Sequence, residues 1–207
     1  MSDLTHFDMQ PLHMDPQSKA ITVALNTKAP RALHAELEEL NTLHRALVGA
    51  AEGVSQHGVP LPPVPVNPKR SANVTKLRDN GNAEYRKQRY AEALKLYTLG
   101  IQMAEARPLW EPSALTREEL SALYANRAQA YMAMQQWAEG AVDAETSVEV
   151  KKVGNSKAWW RRGKCLLEMG RLDEARDWVK KGLEVEGEEA ELRSLLEEID
   201  GKKTKST

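Results

Sequence analysis

Apolar residues recur along most of this chain at the three- and four-residue spacings of an amphipathic helix. Leu33, Leu37, Leu40, Leu43 and Leu47 follow one another at intervals of 4, 3, 3 and 4. That stripe predicts a helix over residues 31–52, opened by Thr27 and Pro30 and stopped at Gly53. Upstream the period changes to two. Ile21, Val23 and Leu25 alternate with smaller residues and predict a short strand, and a second extended piece is expected from Phe7 to Leu12. Between residues 59 and 68 neither period survives. Pro60, Pro62, Pro63, Pro65 and Pro68 deny a helix its amide donors and favour polyproline II, so a linker or strap is expected over 59–70. Beyond it the pattern is helical again, closing with Leu192, Leu195, Leu196 and Ile199 on one face of a predicted final helix, 188–199. The Lys-rich residues 201–207 are expected to be disordered.

The helical part repeats. Gly81, Ala128 and Gly163 are each followed twelve residues later by a small residue, Ala93, Gly140 and Ala175. Seven residues further on stand Gly100, Ser147 and Gly182. Small side chains at these places let paired antiparallel helices approach closely. Tyr90, Trp137 and Leu172 fall between the first two members of each trio, each with a Glu two residues on. The pattern resembles the tetratricopeptide (TPR) helix-turn-helix unit of about 34 residues. The expected fold is therefore all-α, a right-handed TPR solenoid of three repeats with a C-terminal capping helix and a small α+β N-terminal segment. Its expected parts are an N-terminal segment 1–58, the linker 59–70 and a TPR domain 71–200, with repeats near 74–107, 121–154 and 156–189. The first interval, 47 residues from Gly81 to Ala128, exceeds the second, 35, so about 13 residues are inserted around 107–112. Thr116 with Glu119 reads as a capping box that restarts the next helix.

Composition and charge narrow the function. Apolar residues make up 41% and charged residues 29%, the balance of a globular protein, and a net charge of −1 offers no global field for nucleic acid or an anionic membrane. No apolar run approaches the roughly 20 residues of a membrane span, and the N-terminus lacks a signal-peptide pattern, so direct membrane insertion is not expected. Cys165, the single cysteine, suits a reducing compartment and falls at a core position. His6, His13, His34, His44 and His57 form no metal-ligand spacing, and no nucleophile triad or phosphate loop is present. Neither a catalytic residue, a metal nor a cofactor is expected, and the chain reads as a non-enzyme. Trp159 and Trp160 divide between core and groove edge in this reading, and Trp110, in the insertion, is a possible docking residue.

The first helix of each repeat lines the concave groove of such a stack. Arg78 and Asn82 sit four apart on one, Asn126 lies mid-helix on the next, and Lys157 and Arg161 sit four apart on the third. Each cation alone is compatible with a solvated helix face, whereas Asn126 is a poor mid-helix residue and needs another reason. Together they resemble the dicarboxylate clamp of co-chaperone TPR domains, which has Lys and Asn, then Asn, then Lys and Arg, and binds the Glu-Glu-Val-Asp tails of heat-shock chaperones. Arg78 departs from the usual Lys, replacing a point charge with a planar fork. A C-terminal Asp presents two carboxylates, each of which gains charge-assisted hydrogen bonds from cations, while Asn amides can hold the peptide backbone.

The short N-terminal segment, the proline-rich connection and the insertion ending in Trp110-Glu-Pro make the whole chain similar to the small cytosolic TPR subunits of the fungal post-translational Sec translocon. That resemblance implies an adaptor at the cytosolic face of the endoplasmic reticulum membrane, held there by a membrane-anchored partner subunit. Its groove would take the acidic tail of seventy-kilodalton chaperones. A soluble co-chaperone without a membrane link is the alternative.

Overall fold

The structure, a computed structural model, describes residues 9–25, 27–50, 66, 68–107 and 111–206. The proline-rich stretch up to residue 65, Phe7 and Trp110 lie outside the described residues. Contacts divide the chain into two units, residues 1–67 and 68–207.

In the first unit β1 (Leu12–Met14) pairs antiparallel with β2 (Ile21–Val23), Leu12 opposite Val23 and Met14 opposite Ile21. The Asp15 carboxylate accepts hydrogen bonds from the Gln17 and Ser18 amides and closes the turn. Helix α1 (Arg31–Ala50) follows within the predicted limits. Its buried face is narrower than the leucine stripe implies, since Leu37 and Asn41 are buried while Leu40 and Leu43 are exposed. The reason is a polar tether. Asn41 accepts from the Ile21 amide and donates to the Ile21 carbonyl, both at 2.8 Å, so it pairs the free edge of β2 as a neighbouring strand would.

The second unit is the expected stack, a TPR solenoid of antiparallel helices. The helices are α2 (Pro68–Arg86), α3 (Tyr90–Glu105), α4 (Ser113–Ala133), α5 (Trp137–Val150), α6 (Ser156–Glu168), α7 (Leu172–Glu186) and α8 (Ala190–Ser206). Three boundaries differ from the sequence reading. Pro68 opens α2 instead of belonging to the linker, because proline lacks only an amide that the first helical turn leaves unbonded. The insertion lengthens α4 by about two turns. Thr116 and Glu119 consequently lie inside α4 and form no capping box. Pro112 precedes its first residue, and the Glu119 carboxylate turns to Arg107. The tail is helical to Ser206 and not disordered. Lys202 pairs with Glu198 one turn earlier and Lys203 with Asp173 on α7, which extends the helix past its buried residues Leu192, Leu195 and Ile199.

All nine small positions of the repeat pattern are buried. A Cβ on Gly81 would stand 2.5 Å from the Tyr97 ring, and one on Gly163 would stand 2.5 Å from Val179, so these backbones approach as only glycine permits. Trp159 is buried, its indole N–H donates to the Lys152 carbonyl, and its ring stacks on Trp178 at 4.4 Å. Cys165 is buried, and burial pushes its thiol up to about 12. Arg107 is nearly enclosed among Glu111, Glu119 and Ser71, tying the α3–α4 connection back to α2. Burial works against its charge, yet the two carboxylates hold the guanidinium above its usual range.

The three intra-repeat turns are built alike. Arg89, Gln136 and Arg171 donate their amides to the Glu84, Tyr131 and Leu166 carbonyls at 2.9–3.0 Å, the six-to-one bond of a Schellman end. The residue before each has positive φ, at Gln88 (62°), Gln135 (59°) and Gly170 (76°). Only the third repeat has glycine there. A left-handed residue with a side chain costs about 1 kcal/mol. Gln88→Gly and Gln135→Gly are therefore expected to stabilise the protein, each by up to about 1 kcal/mol in urea denaturation. Gly170→Gln is expected to destabilise it by a similar amount.

Candidate peptide-binding groove

Helices α2, α4 and α6 are the first helices of their repeats, and α4 touches both others. Their facing side chains enclose a polar cavity of about 390 Å3 lined by Asn82, Asn126, Gln129, Asn155, Lys157 and Arg161, among others. Four of the five clamp residues read from the sequence thus share one space. Arg78 does not line it. Its guanidinium lies 3.3 Å from the carboxylate of the neighbouring, exposed Asp79, and Arg78 itself is partly buried.

Hydrogen bonds fix how the amides stand. Asn82 Oδ1 accepts from the Tyr97 hydroxyl at 2.7 Å and from Asn126 Nδ2 at 3.0 Å. Burial raises the Tyr97 hydroxyl to about 12, so it remains a donor across the physiological range. With its carbonyl oxygen committed to two donors, Asn82 keeps its amide nitrogen as a donor facing the cavity. Asn126 joins α4 to α2 through its bond to Asn82. This explains why asparagine is spent in mid-helix.

The two cations differ in setting. Lys157 is exposed on the first turn of α6 and has no ion-pair partner among the described residues. The helix N-terminus beside it adds positive potential. Arg161 is nine-tenths buried. It donates from Nη1 to the Ala125 carbonyl at 2.9 Å and from Nη2 to Gln129 Oε1 at 2.8 Å. Burial lowers its pKa, the price of taking a charge out of water. Neither acceptor carries a charge to offset it.

A second row was less legible. Tyr85, Gln129 and Trp160 stand three residues after Asn82, Asn126 and Lys157, and all three line a larger, more apolar trough of about 850 Å3 together with Met132 and Trp137. Trp160 thus edges the groove, as the tryptophan pair implied. The regular interval of three on inward-facing helices is a signal from which Tyr85 and Gln129 could have been found. Lys164 also reaches the trough but is engaged with Glu168 and Glu198. Among the described residues no group of His, Cys, Asp and Glu could hold a metal ion, and no helix is long and apolar enough to cross a membrane.

Tyr97 links the groove to the repeat packing. Tyr97→Phe is expected to destabilise the protein by about 1 kcal/mol in urea denaturation, since Asn82 loses a buried donor.

No model of a known protein family matches the sequence. Among curated proteins the chain is 39% identical over 124 residues to the ER protein translocation subcomplex subunit sec67 of Schizosaccharomyces pombe. That match covers 60% of this chain and 64% of that protein, just under two thirds of its length. It is 26% identical over 194 residues to the translocation protein SEC72 of Saccharomyces cerevisiae, covering 91% of this chain and 93% of that one. Among solved structures it is similar to the second TPR domain of human RPAP3 in complex with the HSP70 peptide SGPTIEEVD, at 26% identity and a TM-score of 0.53, covering 63% of this chain and 98% of that one. The Sgt2 TPR domain of Aspergillus fumigatus is 30% identical with a TM-score of 0.53, covering 68% of this chain and 82% of that domain. The repeat geometry and this degree of identity agree: the chain belongs to the tetratricopeptide-repeat family, and it is similar to the translocation subunits sec67 and SEC72.

Proposed function

We propose that this protein is a non-enzymatic adaptor of the endoplasmic-reticulum protein-translocation complex, whose groove grips the free C-terminal end of an acidic chaperone tail. The observation that carries the reading is the groove itself. Asn82, Asn126, Lys157 and Arg161 face one cavity, and its two cations have no carboxylate bonded to them among the described residues. Two carboxylates of a terminal Asp fit the two cations, and the Asn amides fit the peptide backbone. The likeness to a domain solved with SGPTIEEVD supports a tail of the seventy-kilodalton heat-shock class as ligand. The likeness to SEC72 over nearly its whole length supports a place at the cytosolic face of the endoplasmic reticulum membrane, beside a membrane-anchored partner subunit. In this reading Arg78 is a peripheral contact, screened by solvent and shared with Asp79.

Fluorescence anisotropy with labelled SGPTIEEVD tests the grip. Asn126→Ala is expected to weaken binding about tenfold and Lys157→Glu more than about thirtyfold, as charge-assisted bonds are lost. Arg78→Ala is expected to cost less than about threefold. C-terminal amidation of the peptide should abolish most binding, and raising salt should weaken it. Equal affinity for the acid and the amide would overturn the clamp. Affinity purification from membranes tests the location: recovery of translocation subunits supports it, and recovery only from the soluble fraction without a membrane partner favours a free co-chaperone.

A further inference from the structure

The cations of the second unit are mostly neutralised where they are enclosed. Arg107 meets Glu111 and Glu119, Arg127 meets Asp143, and Arg162 meets Glu145. Lys164 is held by Glu168 and Glu198. Arg161 is the exception among these. It is nine-tenths buried, yet its guanidinium is oriented by a main-chain carbonyl and by the side-chain carbonyl of Gln129. Glu191 on α8 acts on it through space and forms no ion pair with it. The fold thus accepts the desolvation of a guanidinium and, among the described residues, gives it no carboxylate in contact.

Gln129 holds the decisive position. It lines both the polar cavity and the apolar trough, so it stands where the two meet. A glutamate here would be nearly isosteric and would neutralise the guanidinium. An apolar residue would leave one edge of the fork without an acceptor. Glutamine does neither: it gives direction without giving charge.

We propose that Gln129 is a positioning residue of the groove, whose side-chain carbonyl orients the Arg161 guanidinium while leaving its positive charge for the carboxylate of a bound peptide. The proposal rests on the carboxylate grip described above. It assigns to Gln129 a part in selecting an acidic chain end, through Arg161. A ligand carboxylate meets a cation already aimed and already desolvated, so less ordering remains at binding. A purely structural glutamine would have no preference between amide and carboxylate beyond its effect on stability.

The test uses the full chain and labelled SGPTIEEVD, with thermal unfolding of every variant followed in parallel. Gln129→Glu is expected to keep or raise the melting temperature, because it pairs with Arg161, and to weaken binding by about thirtyfold or more, because it occupies the charge. Gln129→Ala is expected to weaken binding about fivefold, through loss of aim alone. In an Arg161→Ala background both changes should lose most of their effect on affinity, and the non-additivity measures the coupling. Asn126→Ala serves as the reference. If it weakens binding while Gln129→Glu and Gln129→Ala both stay within twofold of the native protein, the role of Gln129 is overturned and the grip stands. If Asn126→Ala also binds normally, the grip itself fails. A loss with Gln129→Glu that persists undiminished in the Arg161→Ala background likewise overturns action through Arg161.

Discussion

Arg161 is the residue on which the groove turns. A guanidinium that is nine-tenths buried carries a large desolvation cost, and elsewhere in this molecule such a cost is met by carboxylates. Here, among the described residues, the bonded acceptors are the Ala125 carbonyl and Gln129, both neutral. Stability alone gives no reason for that choice, because a carboxylate in place of the amide would hold the cation better. The arrangement fits the proposed grip, in which a ligand carboxylate answers the charge. Lys157, exposed and without a pairing carboxylate among the described residues, presents a second such charge to the solvent.

What lets three helices present these groups together is close backbone packing. Gly81 admits the Tyr97 ring, and the ring's hydroxyl then reaches Asn82 on the next position of α2. Asn82 in turn takes the amide of Asn126 on α4, and Ala125, one residue earlier, receives Arg161 from α6. A chain of short contacts therefore runs from the glycine of the repeat signature to the charge in the groove. The residues that make the stack and those that make the site are adjacent in sequence and mechanically continuous. Loss of a small residue at the packing layer would reach the groove without touching a ligand.

The first repeat is joined to the second in a different way. The connection after α3 is anchored by the enclosed Arg107 with its two glutamates, and α4 begins early, at Ser113. Ser121 lies on the buried side of α4, where it meets Ser147 of α5, and Ser147 donates to its carbonyl. Asn155, just before α6, donates to the Ser147 and Lys151 carbonyls from the same neighbourhood. The start of the third inner helix, and with it Lys157, is held by polar contacts around Ser147 that the spacing of small residues alone does not specify.

The sequence by itself determined the helical stack, the three repeats and the small buried positions, because each depends on periodicity along one chain. It also placed Asn82, Asn126, Lys157 and Arg161 on inner faces, since spacing of three and four fixes a helix face. It did not show that Arg78 would turn to its neighbour Asp79, nor that Gln129 would hold Arg161, because side-chain partners across helices depend on relative height and rotamer. It misread the start of α4 and the end of α8 for a related reason. Thr116 and Glu119 satisfy a local capping pattern, but Glu119 serves Arg107 instead, and Lys203 finds Asp173 on another helix. Along the chain, local pattern decides which elements form. Only the tertiary structure decides which charges meet a carboxylate within the fold and which, like that of Arg161, meet neutral acceptors.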